Sequence, residues 1–264
     1  LALGAAALTA FNPMFLFVSA AVNNDSMAAF VGSVALLAIV RVAKGGESGG
    51  NARLGLQSAL LGLLIGLGAL TKLSLLGLIP LAGLVVTMRV WKRHSSRTAV
   101  DRVLRTLGYG AIMALAAAAV SGWWFVRNWR LYGDPTALNV FIAVQGSRAQ
   151  PPSLQDWLGE FGTFRWTYWG LFGGVNVMAP RATYWLFDLL SVLGLGGCLI
   201  WVGRRWRRGF QASDASVLLP ALWGLILFIS VLRWTWISPA FQGRLIFPGI
   251  AGISTLLALG LRQW

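Results

Sequence analysis

Long apolar runs alternate along the chain with short polar or charged stretches. The runs have 16 to 22 residues, close to the roughly 20 that a helix needs to cross about 30 Å of hydrocarbon. None shows the alternation of apolar and polar positions that marks a strand of a membrane barrel. The pattern therefore predicts an all-α, polytopic membrane helix bundle of about eight transmembrane helices, forming a single transmembrane domain over residues 1–264. The runs cover residues 1–22, 26–42, 54–70, 75–90, 107–126, 183–202, 217–232 and 245–261.

Composition agrees with a membrane location. The chain is 57% hydrophobic and 11% charged, whereas about 25% of residues are charged in a typical soluble domain. The net charge of +14 first suggests nucleic acid as a partner. However, the lysines and arginines cluster in the gaps between apolar runs, which is typical of topology signals and contacts with anionic lipids. We therefore expect the lipid bilayer as a partner and no nucleic acid.

The distribution of Lys and Arg predicts which side of the membrane each connection faces. Fourteen of the 22 cations fall on one set of alternating connections, nearly all short, so this side is predicted to be cytoplasmic. It also holds a glycine-rich tract, residues 45–50, that we expect to form a turn. All eight runs alternate without conflict, which favours a multi-pass protein of the inner (plasma) membrane. The fourteen cations are Arg41, Lys44, Arg53, Arg89, Lys92, Arg93, Arg97, Arg102, Arg105, Arg204, Arg205, Arg207, Arg208 and Arg262, and the extracytoplasmic connections are residues 23–25, 71–74, 127–182 and 233–244.

One extracytoplasmic connection, residues 127–182, is too long to be a simple linker. Within it Ser153 and Asp156 have the spacing of a capping box, and apolar residues follow at helical spacing. This pattern predicts an amphipathic helix on the outer membrane surface. Aromatic residues farther along suit the interfacial belt in which Trp and Tyr gather. The apolar positions are Leu154, Trp157, Leu158 and Phe161, and the aromatic ones are Trp166, Tyr168, Trp169, Tyr184 and Trp185.

Charged residues beside the extracytoplasmic ends of the runs are the candidates for chemistry, and Asp25 is the first. It stands in Asn23-Asn24-Asp25-Ser26, at the junction of the first two runs. One interpretation is a helix N-cap in a tight hairpin, a role that Asn24 or Ser26 also suits. The other is a carboxylate that faces an external cavity and binds a hydroxyl, an amine or a divalent metal ion. The sequence leaves both interpretations open.

Lys72 interrupts an otherwise apolar stretch, residues 66–83. A lysine at the membrane edge can snorkel towards water, whereas one placed deeper costs about 3 kcal/mol and needs a partner or a function. By the predicted topology, Lys72 shares a side with Asp25. A cation beside an external cavity suits an anionic ligand, and a lipid phosphate is the anion expected at this depth.

Two arginines are further candidates for binding a phosphate. Arg244 stands directly before the last run, on the same predicted side as Asp25, and its forked guanidinium suits phosphate oxygens. Arg127, at the end of the fifth run, is the second. Snorkelling to the membrane surface is the alternative for each. Gly62 and Gly66, by contrast, form a GxxxG pattern that predicts helix packing rather than a site.

Several kinds of site are not predicted. The single histidine, His94, lies in a basic loop, and the single cysteine, Cys198, lies in an apolar run, so a zinc site built from His and Cys within this chain is excluded. The chain lacks a phosphate loop, a dinucleotide fingerprint and a nucleophile elbow, so we expect no nucleotide cofactor. These residues leave the role of a divalent metal undetermined.

Five short segments, spread over nearly the whole chain, carry a resemblance to a known group. They are Asn12-Pro13-Met14-Phe15 through Asn23-Asn24-Asp25; Leu70-Thr71-Lys72 with Pro80; Trp123 through Arg127-Asn128-Trp129 to Gly133-Asp134-Pro135; Phe164 through Trp169-Gly170 to Phe172-Gly173, Asn176-Val177 and Pro180; and Gln242-Gly243-Arg244 with Pro248. In these segments the sequence resembles polytopic C-type glycosyltransferases that use polyprenyl-phosphate-linked sugars. That superfamily includes protein O-mannosyltransferases and lipid A aminoarabinose transferases. The chain is more closely similar to bacterial family-39-like membrane proteins.

The resemblance implies an active site on the extracytoplasmic face and a polyprenyl-phosphate-sugar donor within the membrane. In such enzymes an acidic residue of the first external loop acts as, or positions, the general base. That loop would precede Leu1, so the resemblance implies an N-terminally truncated fragment whose main catalytic carboxylate lies upstream. Asp25 matches the second acidic position of the family. Lys72 matches its Thr-Lys pair, although Leu73 replaces the glycine usual in the aminoarabinose transferases.

A membrane glycosyltransferase is therefore the leading functional hypothesis, with Asp25 as a supporting catalytic acid and three cations binding the lipid phosphate. Sugar transfer needs a base for the acceptor and cations for the departing phosphate, and a carboxylate stabilises an oxocarbenium-like transition state. The alternative is a non-enzymatic transporter or flippase of a lipid-linked glycan, for which broken helices and polar groups near the midplane are typical. A degenerate, purely structural family member is the third hypothesis. The three cations are Lys72, Arg127 and Arg244.

Overall fold

Helices form over the predicted apolar runs. The structure, a computed structural model, describes residues 1–45 and 50–264, and within them seven helices are long and apolar enough to cross a membrane. A bent pair of helices at residues 2–20 raises the number to eight if it is counted as one crossing. The chain is thus a multi-pass membrane protein with an all-α bundle, as predicted. The α-helices are α1 (Ala2–Ala10), α2 (Pro13–Ala20), α3 (Asp25–Lys44), α4 (Asn51–Thr71), α5 (Leu78–Arg93), α6 (Ala99–Tyr132), α7 (Leu138–Gln145), α8 (Leu154–Trp169), α9 (Arg181–Arg208), α10 (Ala215–Ile237) and α11 (Ile250–Leu261).

The helix termini gather at two opposite ends of the bundle, because consecutive spans run antiparallel. One end, named the site end here, holds the start of α3, the end of α4 and the segment that precedes α11. The other, named the basic end, holds the turn between α5 and α6 and the ends of α3, α9 and α11. The fourteen cations predicted to share one side lie at or near the basic end. The glycine-rich turn predicted over residues 45–50 falls mostly on residues 46–49, which lie outside the described residues.

The first predicted run, residues 1–22, is broken into two helices rather than being one continuous helix. The axes of α1 and α2 meet at 58°. The break lies at Asn12-Pro13, where the side chain of Asn12 accepts a hydrogen bond from the backbone N–H of Phe15 (2.9 Å) and caps α2. A residue before proline avoids the helical conformation, and Pro13 suits the first position of a helix. Local chemistry at two residues therefore explains the bend.

Besides α10, which follows the short 3-10 segment Ala212–Asp214 at the basic end, two other spans begin as 3-10 helix before they become α-helix. Residues Leu73–Gly77 lead into α5, and residues Gly243–Gly249 lead into α11. The second segment lies directly against α3, since a Cβ atom added to Gly32 would stand 2.2 Å from the carbonyl oxygen of Pro248. The indole N–H of Trp223 in α10 donates to the same oxygen (3.2 Å). Both irregular segments are at the site end.

Glycines allow two pairs of helices to approach backbone to backbone. In α4, Cβ atoms added to Gly62 and Gly66 would stand 2.2 Å and 2.8 Å from carbonyl oxygens of α6, which confirms the predicted packing role of this GxxxG pattern. In α9 and α11, a Cβ on Gly197 would stand 1.9 Å from the oxygen of Gly260, and one on Gly260 would stand 1.7 Å from the oxygen of Gly194. Helix α9 packs chiefly on α11, and most of its remaining surface is not covered by protein.

The long connection between α6 and α9 is shorter than predicted, because both helices extend into residues 127–182. Within residues 133–180 the chain forms α7, α8 and a small hairpin of β1 (Leu171–Phe172) and β2 (Val177–Met178). The helix predicted after Ser153 is α8, and its capping box with Asp156 is present. The rings of Trp157 and Phe164 contact Phe241 (centroids 5.4 and 4.9 Å apart) and fix α8 to the site end.

The predicted aromatic belt is only partly correct. Trp185 is exposed, but Tyr168, Trp169 and Tyr184 are buried. The ring of Trp169 stacks on Phe187 of α9 at a centroid distance of 4.3 Å. The hydroxyl of Tyr184 donates to the carbonyl oxygen of Gly170 (2.6 Å) and accepts from the N–H of Ala179 (3.1 Å). These aromatic residues therefore bind the connection to α9 instead of lying among lipid headgroups.

Candidate functional site

Asp25 is the first residue of α3, and the chain before it positions its carboxylate. The side-chain oxygen of Asn23 accepts a hydrogen bond from the backbone N–H of Asp25 (2.8 Å), and the Asn23 amide donates to the carbonyl oxygen of Val18 (2.7 Å). Asn24 occupies the N-cap position of α3 without a side-chain capping bond. Asp25 is only 5% exposed, and its side chain contacts cations rather than helix N–H groups. The N-cap interpretation is therefore not the one that the fold adopts.

Lys72 meets Asp25 at the C-terminal end of α4. It lies between α4 and the 3-10 segment Leu73–Gly77 in extended conformation, and its Nζ is 2.6 Å from Oδ1 of Asp25. The side chain of Lys72 is 17% exposed and that of Asp25 is 7% exposed. The amide of Asn24 also donates to the carbonyl oxygen of Thr71 (2.9 Å). A lysine that is buried to this extent needs a partner of opposite charge, and the carboxylate of Asp25 is that partner.

Arg244 approaches the same carboxylate from the start of the 3-10 segment Gly243–Gly249. Its guanidinium NH1 is 3.9 Å from Oδ2 of Asp25, a looser contact than that of Lys72. Its Nε donates to Oε1 of Gln242 at 2.9 Å. The side chain is 34% exposed, so part of the guanidinium faces outward. Asp25, Lys72 and Arg244 together are named the Asp25 cluster.

The turn that carries Arg244 is held against α8. The backbone N–H of Gly243 donates to the hydroxyl of Thr167 (2.7 Å), which is fully buried. A Cβ atom at residue 243 would stand 2.2 Å from the carbonyl oxygen of Phe164, so this position requires glycine. The aromatic helix α8 therefore determines where Arg244 lies relative to Asp25.

The Asp25 cluster combines two cations with one carboxylate and so carries a net positive charge. Both carboxylate oxygens already face a cation, which leaves Asp25 poorly placed to accept a proton as a general base. The cations keep N–H groups that Asp25 does not use, and forked or multiple N–H donors suit phosphate oxygens. The arrangement is thus suited to holding an anion next to a desolvated carboxylate.

Arg127, the fourth predicted site residue, does not join the other three. Its NH1 donates to the side-chain oxygen of Asn128 (3.2 Å), and its guanidinium lies 5.2 Å from the ring centroid of Trp124 in the same helix. Within the described part of the chain, no hydrogen bond or ion pair links Arg127 to the Asp25 cluster. Helix α6 packs on α4 and α5 and reaches the site end at a different place.

Sequence reasoning missed the residues that position the Asp25 cluster. Gln242 stands two positions before Arg244, and its proximity in sequence was an available signal. Asn23 precedes Asp25 in the same way. Thr167 gave no signal, because its contact with Gly243 depends on a packing of α8 that hydropathy does not reveal.

Among residues 1–45 and 50–264, no group of three or more His, Cys, Asp or Glu side chains could hold a metal ion. No family model, curated protein or solved structure matches the chain.

Proposed function

We propose that this protein is a membrane glycosyltransferase that moves a sugar from a polyprenyl-phosphate donor to an acceptor. The observation that supports the proposal best is the convergence of Asp25, Lys72 and Arg244 from three separate segments at one end of a membrane bundle. The sequence resemblance described above singles out the same three residues. The bilayer supplies the donor, so no soluble nucleotide site is needed.

In the proposed reaction, the acceptor oxygen attacks the anomeric carbon while the bond from that carbon to the phosphate oxygen breaks. Polyprenyl phosphate leaves with the electron pair, and the acceptor proton goes to a base. Lys72 and Arg244 stabilise the charge on the departing phosphate. Asp25 orients both cations, and its negative charge stabilises oxocarbenium character at the sugar. Asp25 is a supporting residue here because Lys72 engages one of its oxygens.

We further propose that the site end faces the extracytoplasmic side of the inner (plasma) membrane. The support is the asymmetry of charge, since the basic end holds fourteen of the 22 cations. A lipid-linked donor in the outer leaflet would reach the site end without crossing the membrane.

The test is sugar transfer from a polyprenyl-phosphate sugar by the full-length protein in membranes. Lys72→Ala and Arg244→Ala should each lower the rate by about 100-fold, the effect of losing one donor to a developing anion. Arg130→Ala is the matched control, because Arg130 lies near the site end on α6, is exposed, and should leave the rate within about two-fold. Transfer that survives both cluster substitutions would refute the assignment.

A transporter or flippase of a lipid-linked glycan is the second candidate, and one observation favours it. Discontinuous helices are typical of transporters, and here α1 and α2 break at Asn12, partway along a span. Asn12 is 1% exposed, and its side-chain Nδ2 has no hydrogen-bond partner. Labelling of a cysteine at residue 12 with water-soluble reagents distinguishes the two functions. Labelling from both faces favours transport, and protection from both favours the enzyme.

A further inference from the structure

The turn between α5 and α6 brings basic side chains together far from the Asp25 cluster. The guanidinium of Arg102 in α6 lies 4.5 Å from the ring centroid of Trp91 in α5, so it crosses to the neighbouring helix and is oriented by stacking. The N–H of Arg97 donates to the carbonyl oxygen of His94 (2.9 Å), which closes the turn. Arg97, His94 and Arg102 are named the turn site.

Positive charge at the turn site exceeds what the nearby chain neutralises. Residues 91–105 contain five Lys or Arg residues and one acid, Asp101. Asp101 is engaged by Arg105, whose Nε is 2.8 Å from its Oδ2. The Nε of Arg102 and the Nε2 of His94 are shielded from water and have no hydrogen-bond partner within the described residues. Arg102 and His94 therefore each keep one polar atom that the described part of the chain does not satisfy.

Burial and the neighbouring charges both affect the pKa of His94. Partial burial lowers the pKa of His94, and the charges of Arg105, Arg93 and Arg97 lower it further against the opposing effect of Asp101. His94, the residue just after the C-terminus of α5, therefore lies in a positively charged environment.

The surface beside the turn site exposes apolar side chains. Helix α6 has 34 residues and is about 50 Å long, which exceeds the roughly 30 Å of hydrocarbon, so its first turns extend to the headgroup level. On these turns Val100, Leu104 and Leu107 are exposed at i, i+4 and i+7 spacing, and they form one apolar face. Trp91, which is 39% exposed, suits the same interfacial depth.

We propose that Arg97 and Arg102 bind the phosphate of an anionic phospholipid at the turn site. The exposed apolar residues of α6 lie among the acyl chains, while the guanidinium groups of Arg97 and Arg102 face the headgroup. A forked guanidinium matches the geometry of phosphate oxygens, and stacking on Trp91 fixes the orientation of the Arg102 guanidinium. The site is independent of the proposed glycosyl transfer and lies at the opposite end of the bundle.

Native mass spectrometry of the purified full chain tests the proposal. The protein in zwitterionic detergent is titrated with phosphatidylglycerol or with phosphatidylcholine of the same acyl chains. We expect preferential retention of phosphatidylglycerol, and a loss of about 20- to 30-fold in its affinity in the R97A/R102A double variant, since each cation near the surface contributes roughly five-fold. Phosphatidylcholine binding should be unchanged.

The matched control is R207A/R208A, which removes the same charge from the exposed end of α9 at the same end of the bundle. It should change the affinity by less than about two-fold. An equal loss in both double variants would show diffuse attraction and overturn the proposal, as would no loss in R97A/R102A. Competition by inorganic phosphate at the same concentration as the lipid would overturn the assignment to a lipid.

Two further variants keep the test valid if the double variant fails to fold. Arg97 is exposed, so R97A alone should fold and should weaken binding by about five-fold. R102K keeps the charge but loses the planar stacking on Trp91, so its affinity should lie between those of the wild type and the double variant. Wild-type affinity in both variants would contradict the proposal.

Discussion

The two ends of the bundle differ in how much of their positive charge the protein itself pairs. Each end has a buried carboxylate, Asp25 at the site end and Asp214 at the basic end, where Oδ1 of Asp214 is 3.0 Å from NH2 of Arg205. At the site end, two cations from different segments converge on one buried carboxylate, and the surrounding chain leaves regular α-helix in two of its spans. At the basic end, cations far outnumber acids. The site end is covered by α8 and its aromatic side chains, whereas the turn site at the basic end is bordered by exposed apolar residues.

This difference teaches that a cation in a membrane protein cannot be interpreted from its residue type alone. Lys72 is fixed by a protein carboxylate, so its position is part of the fold. Arg97 is exposed and has no acid of the chain within ion-pairing distance among the described residues. Its charge is therefore accessible to solvent and to lipid headgroups. The first kind of cation should be sensitive to substitution of its partner, and the second kind to the lipid composition.

The largest expected effect comes from removing a buried acid, Asp25 at the site end, and Asp101 at the basic end is the more exposed comparison. Asp25→Ala leaves Lys72 and Arg244 without their carboxylate in a partly buried place, and it should destabilise the protein by about 3 kcal/mol. Asp101→Ala removes the i,i+4 partner of Arg105 at the exposed start of α6 and should have little effect. Unfolding in detergent micelles measures both. Equal stability changes in the two variants would remove the distinction between the ends.

A glycine at each end gives the next largest contrast. Gly243→Ala forces a Cβ atom to within 2.2 Å of the Phe164 carbonyl oxygen, so it should cost about 2 kcal/mol and displace Arg244. A Cβ at Gly203 in α9 meets nothing within 4 Å, so Gly203→Ala should stabilise the helix by up to about 1 kcal/mol. Thermal unfolding of both variants checks the sign as well as the size. A stable Gly243→Ala protein would mean that α8 does not fix the turn.

A glutamine and an arginine are paired at each end, which allows a matched test of positioning. Gln242→Ala removes the acceptor that orients Nε of Arg244 and should lower the proposed sugar transfer by about 10-fold with little change in stability. Gln263→Ala removes the acceptor of Arg204 at the basic end and should leave transfer unchanged. Rates measured at saturating and at limiting donor separate positioning from binding. A Gln242→Ala enzyme as active as the wild type would refute the positioning role.

The smallest expected effect is the titration of His94. Its pKa in the folded protein is lower than the ordinary value of 6.5, so the unfolded chain takes up the proton first as the pH falls. The contribution of His94 to stability is therefore complete above about pH 6.5 and declines as the pH falls through that value towards the folded pKa. NMR of this single histidine measures the pKa, and anionic lipid should raise it. A folded pKa at or above 6.5 in zwitterionic micelles would contradict the description of the turn site.

Hydropathy and charge predicted much of the fold because each span is a local property of the sequence. Topology predicted that Asp25, Lys72 and Arg244 lie on one side, but it predicted the same for Arg127, which does not join them, so their contact was not predicted. The break at Asn12 was not predicted, because both flanking helices are apolar and the run continues across it. A proline within an apolar run was the available signal.

Contacts between distant segments could not be derived in the same way. The burial of Tyr168, Trp169 and Tyr184 depends on how α8 lies against α9 and the 3-10 segment Gly243–Gly249, and an interfacial belt has the same composition. Arg148 is a similar case. Its Nε donates to the carbonyl oxygen of Thr235 (2.7 Å), and its NH2 contacts both oxygens of Glu160. No spacing in the sequence relates these three residues.

The close approach of α9 and α11 has a consequence for how the protein is made. Gly197 and Gly260 bring the two backbones together, and α9 has no comparable protein partner earlier in the chain. The ribosome completes α9 about 40 residues before it begins α11, so α9 must wait in the bilayer with lipid around it. Assembly of this half of the bundle is therefore a late step, and it cannot begin before α11 has been synthesised and inserted.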